Sequence, residues 1–212
     1  LIDLQDIPNL SDITVEGSRV RIGAMVTQAQ VIADQGLANA APLLKEAALQ
    51  IADPQVRYMG TVGGNVANGD PANDMPGLMQ CLDASFTLVG PNGTRTVAAR
   101  TFYEAAYMTA REDDEVLTEI SLDAHAAGYA YEKQKRKIGD YATAASAVLL
   151  SKDGGHCSSA SIAMTNLSDT PIFSEAAGAA LIGTQLDDAA IKQAVTVALG
   201  DIDPTEDNRG PV

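Results

Sequence analysis

Hydrophobic and polar residues alternate over several short stretches of the chain, a pattern typical of half-buried β-strands. In Arg19–Met25, for example, Val20, Ile22 and Ala24 fall on one side and predict a strand. The same pattern predicts strands at Ser85–Val89, Thr94–Val97, Glu115–Ser121, Tyr129–Gln134, Ala144–Ser151 and Cys157–Asn166. Glycine-containing turn sequences at residues 90–93 and 153–155 predict that two pairs of these strands form hairpins.

Helices are indicated by capping residues and by apolar positions three and four residues apart. Thr27 and Gln30 match a capping box that begins a short helix. Pro42 suits the first turn of a second helix, whose apolar face comprises Leu44, Ala47, Ala48 and Ile51. Further helices are predicted near Asp74, Phe102–Tyr107, Ser174–Leu181 and Asp187–Leu199. Residues 52–73 are rich in Gly, Pro, Asn and Asp, so we expect mostly irregular backbone there.

The order of these elements predicts an α+β chain built from two modules. A length of 212 residues suits one sizeable domain or two small ones. The small and polar residues of Asp123–Gly128 are the predicted boundary. The boundary separates a domain at residues 1–123 from one at residues 124–212. We expect the second to be a small domain with an antiparallel sheet and helices.

Composition narrows the function classes. The chain has 28 acidic against 14 basic residues and a net charge of −14, which disfavours nucleic-acid and anionic-membrane binding. No run of 18 apolar residues occurs, so no transmembrane helix is expected. Cys81 and Cys157 lack metal-site spacing and are expected to be free, buried thiols of a cytoplasmic protein. His125 and His156 fall in polar, turn-like stretches, so both are expected at the surface and no metal site is predicted.

The segment with the strongest chemical signal is Gly60-Thr61-Val62-Gly63-Gly64-Asn65. Glycines let a backbone approach a ligand closely, and successive amides can form a concave pyrophosphate site. Asn68 adds a neutral hydrogen-bonding group, and Asp74 could accept from sugar hydroxyls. The spacing matches neither the P-loop nor the Rossmann fingerprint. On the residues alone, a phosphate-binding loop and a connecting loop without function are equally good interpretations.

A longer pattern resembles a known family. Ile51-Ala-Asp-Pro-Gln-Val-Arg57, Gly60–Asn65, Asp70-Pro71 and Asp74 closely resemble the second FAD-binding motif of carbon monoxide dehydrogenase medium subunits and xanthine dehydrogenase flavin domains. The family is also similar in register at Arg21–Thr27, Asp114–Ile120 and Glu132–Ala142. The resemblance covers nearly the whole chain. It implies the second subdomain of a PCMH-type FAD-binding module, lacking the first, followed by a small α+β C-terminal domain.

The resemblance further implies that FAD is bound by Thr61, Gly63, Gly64, Asn65, Asn68, Asp74, Leu117, Lys133 and Tyr141. The first four would line the pyrophosphate and ribityl region, and the next two would bind the polar tail of the flavin. Leu117 would lie against the ring system, and Tyr141 beside it. Lys133 would lie near the isoalloxazine, where a positive charge favours anionic reduced flavin.

Each assignment has an ordinary structural alternative. Asp74 also suits a helix N-cap, a role compatible with accepting a ligand hydroxyl. Leu117 suits a strand core, Lys133 an exposed surface, and Tyr141 simple packing. Period-two alternation places Lys133 on one face of its strand with Tyr129 and Tyr131.

The function implied by the resemblance is electron transfer within an oxidoreductase. A large subunit with a molybdenum cofactor would oxidise the substrate, and a 2Fe-2S small subunit would pass electrons to the FAD of this subunit. The assembly would be a heterotrimer, single or doubled, and the electron acceptor would be NAD, a quinone or oxygen. The family's earlier glycine-rich loop would precede Leu1, and its last helix would follow Arg209, so the chain is interpreted as a fragment. The alternative is a non-catalytic interaction module that has lost FAD binding.

Overall fold

The computed structural model describes residues 2–206. Leu1 and residues 207–212 are outside the described part, and with them Arg209, after which the resemblance predicts a further helix. The N-terminal half contains β1 (Ile13–Glu16), β2 (Arg19–Gly23), α1 (Gln28–Ala33), α2 (Gln35–Ala40), α3 (Pro42–Ala48), α4 (Pro54–Met59), α5 (Val62–Ala67), α6 (Asp74–Cys81), β3 (Ser85–Gly90), β4 (Gly93–Ala98), a 3-10 helix (Ala99–Thr101), β5 (Tyr103–Ala105), β6 (Met108–Thr109) and β7 (Val116–Asp123). The C-terminal half contains β8 (Gly128–Gln134), β9 (Ala144–Asp153), β10 (His156–Thr165), β11 (Ile172–Phe173), α7 (Glu175–Leu181) and α8 (Asp188–Ala198). The fold is α+β, as the sequence predicts.

The N-terminal half is built on a five-stranded antiparallel sheet in the order β1-β2-β7-β3-β4. Alternate residues of its strands, such as Val20 and Ile22, are fully buried, which confirms the period-two pattern. They share one core with apolar residues of the helices that follow β2. The capping box predicted at Thr27 and Gln30 is present at the start of α1.

Residues 52–73 are more regular than the sequence predicts, because two capped helices interrupt the loop. Asp53 caps α4, its side chain accepting from the amide of Val56 at 3.0 Å. Thr61 caps α5 in the same way, accepting from the amide of Gly64 at 3.0 Å. Each helix is only six residues long. Such short helices carry little periodic signal, and α5 contains two glycines, which disfavour helix in isolation.

A short helix predicted at Phe102–Tyr107 is not present. The chain instead passes from the 3-10 helix into the small hairpin of β5 and β6. Tyr107, in the turn of this hairpin, has a φ of 60°, which a right-handed helix cannot contain. Phe102 packs edge-on against Phe86 with ring centroids 4.8 Å apart, so the apolar residues of this segment serve the core of the sheet.

The C-terminal half contains a four-stranded sheet in the order β11-β10-β9-β8, with β8 at one edge. Strands β9 and β10 form the predicted hairpin, with a register shift between Cys157 and Ser159. Helices α7 and α8 pack against each other, and α7 packs against β10. The last strand, β11, is short and pairs with the end of β10 through Ala163 and Met164.

Helix α6 connects the two halves because it is buried along its whole length. It packs against β9 and β10, although it precedes β3 in the chain. The hydroxyl of Ser161 donates to the carbonyl of Cys81 at 2.6 Å. A Cβ on Gly77 would overlap the hydroxyl of Thr165, so the glycine allows helix and sheet to approach closely without moving that side chain. The start of α6 is thereby fixed between the two halves.

Candidate functional site

Asp74, the first residue of α6, has both carboxylate oxygens engaged by strand β8. The hydroxyl of Tyr131 donates to Oδ1 at 2.5 Å, and Nζ of Lys133 lies 2.8 Å from Oδ2. The side chains of Lys133 and Asp74 are 1% and 6% exposed, so the ion pair is buried. Buried charges require such partners, since a charge without one is costly in the protein interior.

The structure changes two of the predicted structural roles. Asp74 is not the N-cap of α6, because Asn73 occupies that position. The side chain of Asn73 makes no capping hydrogen bond. The amide of Met75 is instead satisfied by Oδ1 of Asn65, at 3.3 Å. Lys133 is not a surface lysine, since it is enclosed with Asp74. The predicted common face of Tyr131 and Lys133 is confirmed by their shared partner.

Tyr131 is a site residue that the sequence does not single out, although the alternation along β8 places it beside Lys133. Its side chain is buried, and burial, followed by the charge of Asp74, raises the pKa of its phenol well above its ordinary value. Tyr131 therefore serves as a hydrogen-bond donor to Asp74. The sequence carries no signal that pairs Tyr131 with Asp74, because the two residues are 57 positions apart in the chain.

The glycine-containing segment forms a helix start whose amides are already satisfied within the chain. Val62 and Gly63 donate to the carbonyls of Val26 and Ala24, at 2.8 and 2.9 Å. The amide of Gly64 donates to the Thr61 side chain. The concave amide site considered from the sequence is therefore not what these amides form. Gly64 is nevertheless exposed, and because it has no side chain a ligand can approach its backbone closely.

A cavity of about 460 Å³ lies beside the Lys133–Asp74 ion pair, in the size range of small-molecule sites. It is lined by Ile51, Ala52, Asp53, Val56, Asn65, Asn73, Asp74, Lys133, Lys137, Ile138, Gly139, Asp140 and Tyr141. The cavity thus brings together four of the predicted site residues: Asn65, Asp74, Lys133 and Tyr141. They come from both halves of the chain. The Tyr141 ring is 54% exposed, so it is open to a ligand.

The other predicted site residues lie elsewhere. Thr61 lines a second cavity of about 280 Å³ together with Met25, Thr27 and Tyr58 among others. Gly63 is buried against Ala24. Asn68 is the C-cap of α5 and is exposed. Leu117 is in the core of the first sheet, opposite Leu88. The roles of these residues toward a cofactor remain predictions.

The two histidines differ from each other. His156 is exposed, as expected, whereas His125 is half-buried and its ring nitrogens have no hydrogen-bond partner within residues 2–206. Cys81 and Cys157 are free and buried, as expected. Burial raises the pKa of the Cys81 thiol to about 11. Within the described residues no cluster of three or more His, Cys, Asp or Glu side chains is arranged to hold a metal ion.

Comparison with known proteins identifies the family in both halves. Residues 1–123 match the family described as FAD binding domain in molybdopterin dehydrogenase. Residues 129–212 match the family described as CO dehydrogenase flavoprotein C-terminal domain. The chain belongs to the FAD-binding medium subunits of the molybdenum hydroxylases. FAD is therefore the cofactor of this flavoprotein, and its activity class is that of an oxidoreductase.

Named relatives agree with this family. The carbon monoxide dehydrogenase medium chain of Afipia carboxidovorans is 54% identical over all of this chain and 74% of its own length. The medium chain from Hydrogenophaga pseudoflava is 45% identical over 99% of this chain and 74% of its own. The structure of reconstituted CO dehydrogenase from Oligotropha carboxidovorans aligns with a TM-score of 0.96 at 55% identity, covering 99% of this chain and 74% of that one.

The cavity beside the Lys133–Asp74 ion pair is lined by groups that suit part of an FAD molecule. A flavin needs an apolar wall for its ring system and hydrogen-bonding groups for its polar edge and ribityl hydroxyls. Ile51, Val56 and Ile138 supply the wall, and Tyr141 supplies an aromatic face. The side-chain amide of Asn65 and the Lys133–Asp74 ion pair supply the polar groups.

None of the helices in the described part of this flavoprotein has the length and apolar character of a membrane span.

Proposed function

We propose that this chain binds FAD between its two halves and acts as the electron-transfer subunit of a molybdenum-dependent dehydrogenase. The observation that carries the proposal is the buried Lys133–Asp74 ion pair beside a cavity shared by both halves. Bound FAD supplies the redox chemistry, and the chain supplies binding, orientation and electrostatic tuning. No acid–base pair is required of the protein for this role, which agrees with a cavity that contains no catalytic triad among its lining residues.

Lys133 has a spare hydrogen bond for the cofactor. An ammonium group has three donors. Asp74 and the carbonyl of Gln50 accept two of them, at 2.8 and 3.4 Å, which leaves one for a ligand in the cavity. Asp74 balances most of the charge of Lys133, because the two form a close ion pair. We therefore expect Lys133 to act on the flavin mainly as a hydrogen-bond donor. This differs from the free cation considered from the sequence.

The remaining residues divide by distance from this ion pair. Asn65 and Tyr141 line the same cavity, so we propose that they contact the ribityl chain and the ring system respectively. Thr61, Gly63, Gly64 and Asn68 belong to or flank α5. They are proposed to face the pyrophosphate end of FAD, with the exposed backbone of Gly64 as the point of close approach. Leu117 is proposed only as support for the sheet behind the flavin.

The subunit is proposed to work in an assembly. Electrons would pass from a molybdenum-cofactor large subunit through a 2Fe-2S small subunit to the FAD of this chain, and then to NAD, a quinone or oxygen. An assembly of several subunits is supported by two relatives that are named as medium chains of carbon monoxide dehydrogenase. We further propose a heterotrimer or a dimer of heterotrimers in the cytoplasm, with domains at residues 1–123 and 124–212. Nucleic acid is not a proposed partner.

FAD titration of the full-length protein tests the proposal. Flavin fluorescence should be quenched on binding, and Lys133→Met should weaken binding about tenfold, equivalent to ~1.4 kcal/mol. The control is Lys152→Met, since Lys152 is exposed and does not line the cavity beside the Lys133–Asp74 ion pair. Far-UV circular dichroism should show all three proteins folded. A wild-type protein that is folded but does not bind FAD would overturn the proposal and favour the interaction module without cofactor.

A further inference from the structure

The free edge of strand β8 is occupied by side chains from the other half of the chain. As an edge strand, β8 has backbone groups on one side without a strand partner. Glu46 of α3 accepts from the amide of Tyr131 at 2.7 Å. Gln50, just after the end of α3, donates through Nε2 to the carbonyl of the same residue at 3.0 Å. Two side chains thus replace the missing neighbouring strand at one residue.

Gln50 makes further contacts along the same strand. Its carbonyl accepts from Nζ of Lys133 at 3.4 Å, and its side-chain oxygen accepts from Nζ of Lys135 at 2.9 Å. Tyr131 and Lys133 lie on one face of β8, and Lys135 follows directly after the last residue of the strand. Gln50 therefore contacts three alternate residues, through the backbone of Tyr131 and the side chains of the two lysines. A shift of β8 by one residue would turn the Lys133 side chain to the other face of the strand and break its contact with Gln50.

We propose that Glu46 and Gln50 are positioning residues of the FAD site. By holding both backbone groups of Tyr131, they fix the edge of β8 against α3, so that Tyr131 and Lys133 reach Asp74 at the cavity wall. The inference rests on the proposed function, because it assigns these two residues a purpose only if FAD binds at this cavity. Functional groups must be held within about 0.5 Å of their productive positions by supporting contacts. On its free edge, β8 receives such contacts at Tyr131 from Glu46 and Gln50.

A purely structural role would also link the two halves, so the test must measure more than stability. In the structural case, loss of Glu46 or Gln50 would lower the unfolding midpoint and leave the bound flavin unchanged. In the positioning case, the environment of the flavin changes even in the folded, FAD-saturated protein. The visible circular dichroism and midpoint potential of bound flavin report that environment, because they depend on nearby charges and hydrogen bonds.

Four variants of the full-length protein separate the contacts. Glu46→Ala and Gln50→Leu remove them. Glu46→Gln keeps an acceptor for the amide of Tyr131 and should restore wild-type behaviour. Gln50→Glu is isosteric and keeps the acceptor for Lys135, but it places an oxygen against the carbonyl of Tyr131. Leu49→Ala is the matched control, because Leu49 is an exposed neighbour of Gln50.

We expect Glu46→Ala, Gln50→Leu and Gln50→Glu to weaken FAD binding about tenfold. At saturating FAD they should also change the visible circular dichroism and the midpoint potential, while Glu46→Gln and Leu49→Ala match the wild type. Wild-type flavin properties in Gln50→Glu, or in both truncated variants, would overturn the positioning role. Failure of the wild type to bind FAD would instead overturn the proposed function. Gln50→Glu keeps the test decisive if the truncated variants do not fold.

Discussion

Asp74 joins two parts of the chain that the sequence treats as independent. Its carboxylate accepts from Tyr131 and pairs with Lys133, and all three side chains are largely enclosed. Replacing a buried ion pair by apolar residues of similar volume is often neutral, whereas removing one partner leaves a buried charge that costs about 3–5 kcal/mol. Loss of one partner should therefore lower the free energy of unfolding more than loss of the whole pair.

A double-mutant cycle should show this coupling. We expect Asp74→Asn and Lys133→Met each to lower the free energy of unfolding by about 3 kcal/mol, since each strands one buried charge. The double variant should lose less than the sum of the two, because no charge is then left unpaired and the amide oxygen introduced by Asp74→Asn can still accept from Tyr131. Urea unfolding of the FAD-free protein measures all four corners. Additive losses would show that the two side chains are not coupled.

His125 gives the protein a pH dependence near neutrality. Burial lowers the pKa of its imidazole below the ordinary value of 6.5, so the unfolded chain binds this proton more readily than the folded one. The stability that depends on neutral His125 is complete above about pH 6.5. It decreases as the pH falls from there through the lowered pKa of the folded protein. Below that pKa no further loss arises from this group.

Urea midpoints measured between pH 5.5 and 8 test this expectation. His125→Phe should flatten the decrease below about pH 6.5, since the ring that takes up the proton is gone. His156→Asn is the control, because the other histidine is exposed and should leave the profile unchanged. A profile for His125→Phe that still decreases like that of the wild type would assign the effect to other groups.

At the scale of elements, the sequence predicts those segments whose local pattern agrees with their tertiary environment. Strands β2 and β8 alternate clearly, and the capping box of α1 is complete, so the sequence predicts them correctly. It does not predict helix α5, because tertiary contacts of its first turn with Ala24 and Val26 outweigh the low helix propensity of its glycines. For the site, the sequence gives the common face of Tyr131 and Lys133. It does not give Asp74 as their partner, or Glu46 and Gln50 as their support, since those contacts join distant positions.

Helix α5 depends on the absence of a side chain at Gly63. A Cβ there would lie 2.5 Å from Cβ of Ala24 and 2.6 Å from its carbonyl oxygen, and backbone cannot move aside cheaply. We therefore expect Gly63→Ala to lower the free energy of unfolding by about 1–3 kcal/mol, as overpacked positions do. Gly128→Ala is the control, since the nearest atom to its Cβ would be 3.5 Å away. Equal urea midpoints for both variants would contradict the close packing of α5 on Ala24.

At the scale of the whole molecule, one hydrophobic core crosses the middle of the chain. Phe86 and Ile120 of the first sheet belong to the same buried cluster as Tyr131, Ala147 and Ala163 of the second. The buried helix α6 lies at the centre of this arrangement. The C-terminal half also has a small cluster of its own around Cys157, Leu181 and Ala194. The larger core is shared, however, so the N-terminal half has no apolar interior separate from its partner, which is the usual basis of independent folding.

We expect the FAD-free protein to unfold in one cooperative transition. Far-UV circular dichroism and tyrosine fluorescence should give the same urea midpoint, because secondary structure and the shared core are lost together. Ser161→Ala removes the hydrogen bond to the carbonyl of Cys81 and should lower that midpoint without splitting the transition. Two separate transitions in the wild type would show that the halves are energetically independent.

The contact of Glu46 and Gln50 with Tyr131 has a consequence for how such proteins can be recombined. Because both side chains bind backbone atoms of β8, they would accept this strand from a relative whatever residues it carries at its exposed positions. The side-chain contacts of Asp74 are specific by contrast, because they require a tyrosine and a lysine at positions 131 and 133 of the other half. A hybrid joined between the halves would therefore assemble its strand through general contacts. Its cofactor chemistry would survive only where donor and recipient carry the same three side chains.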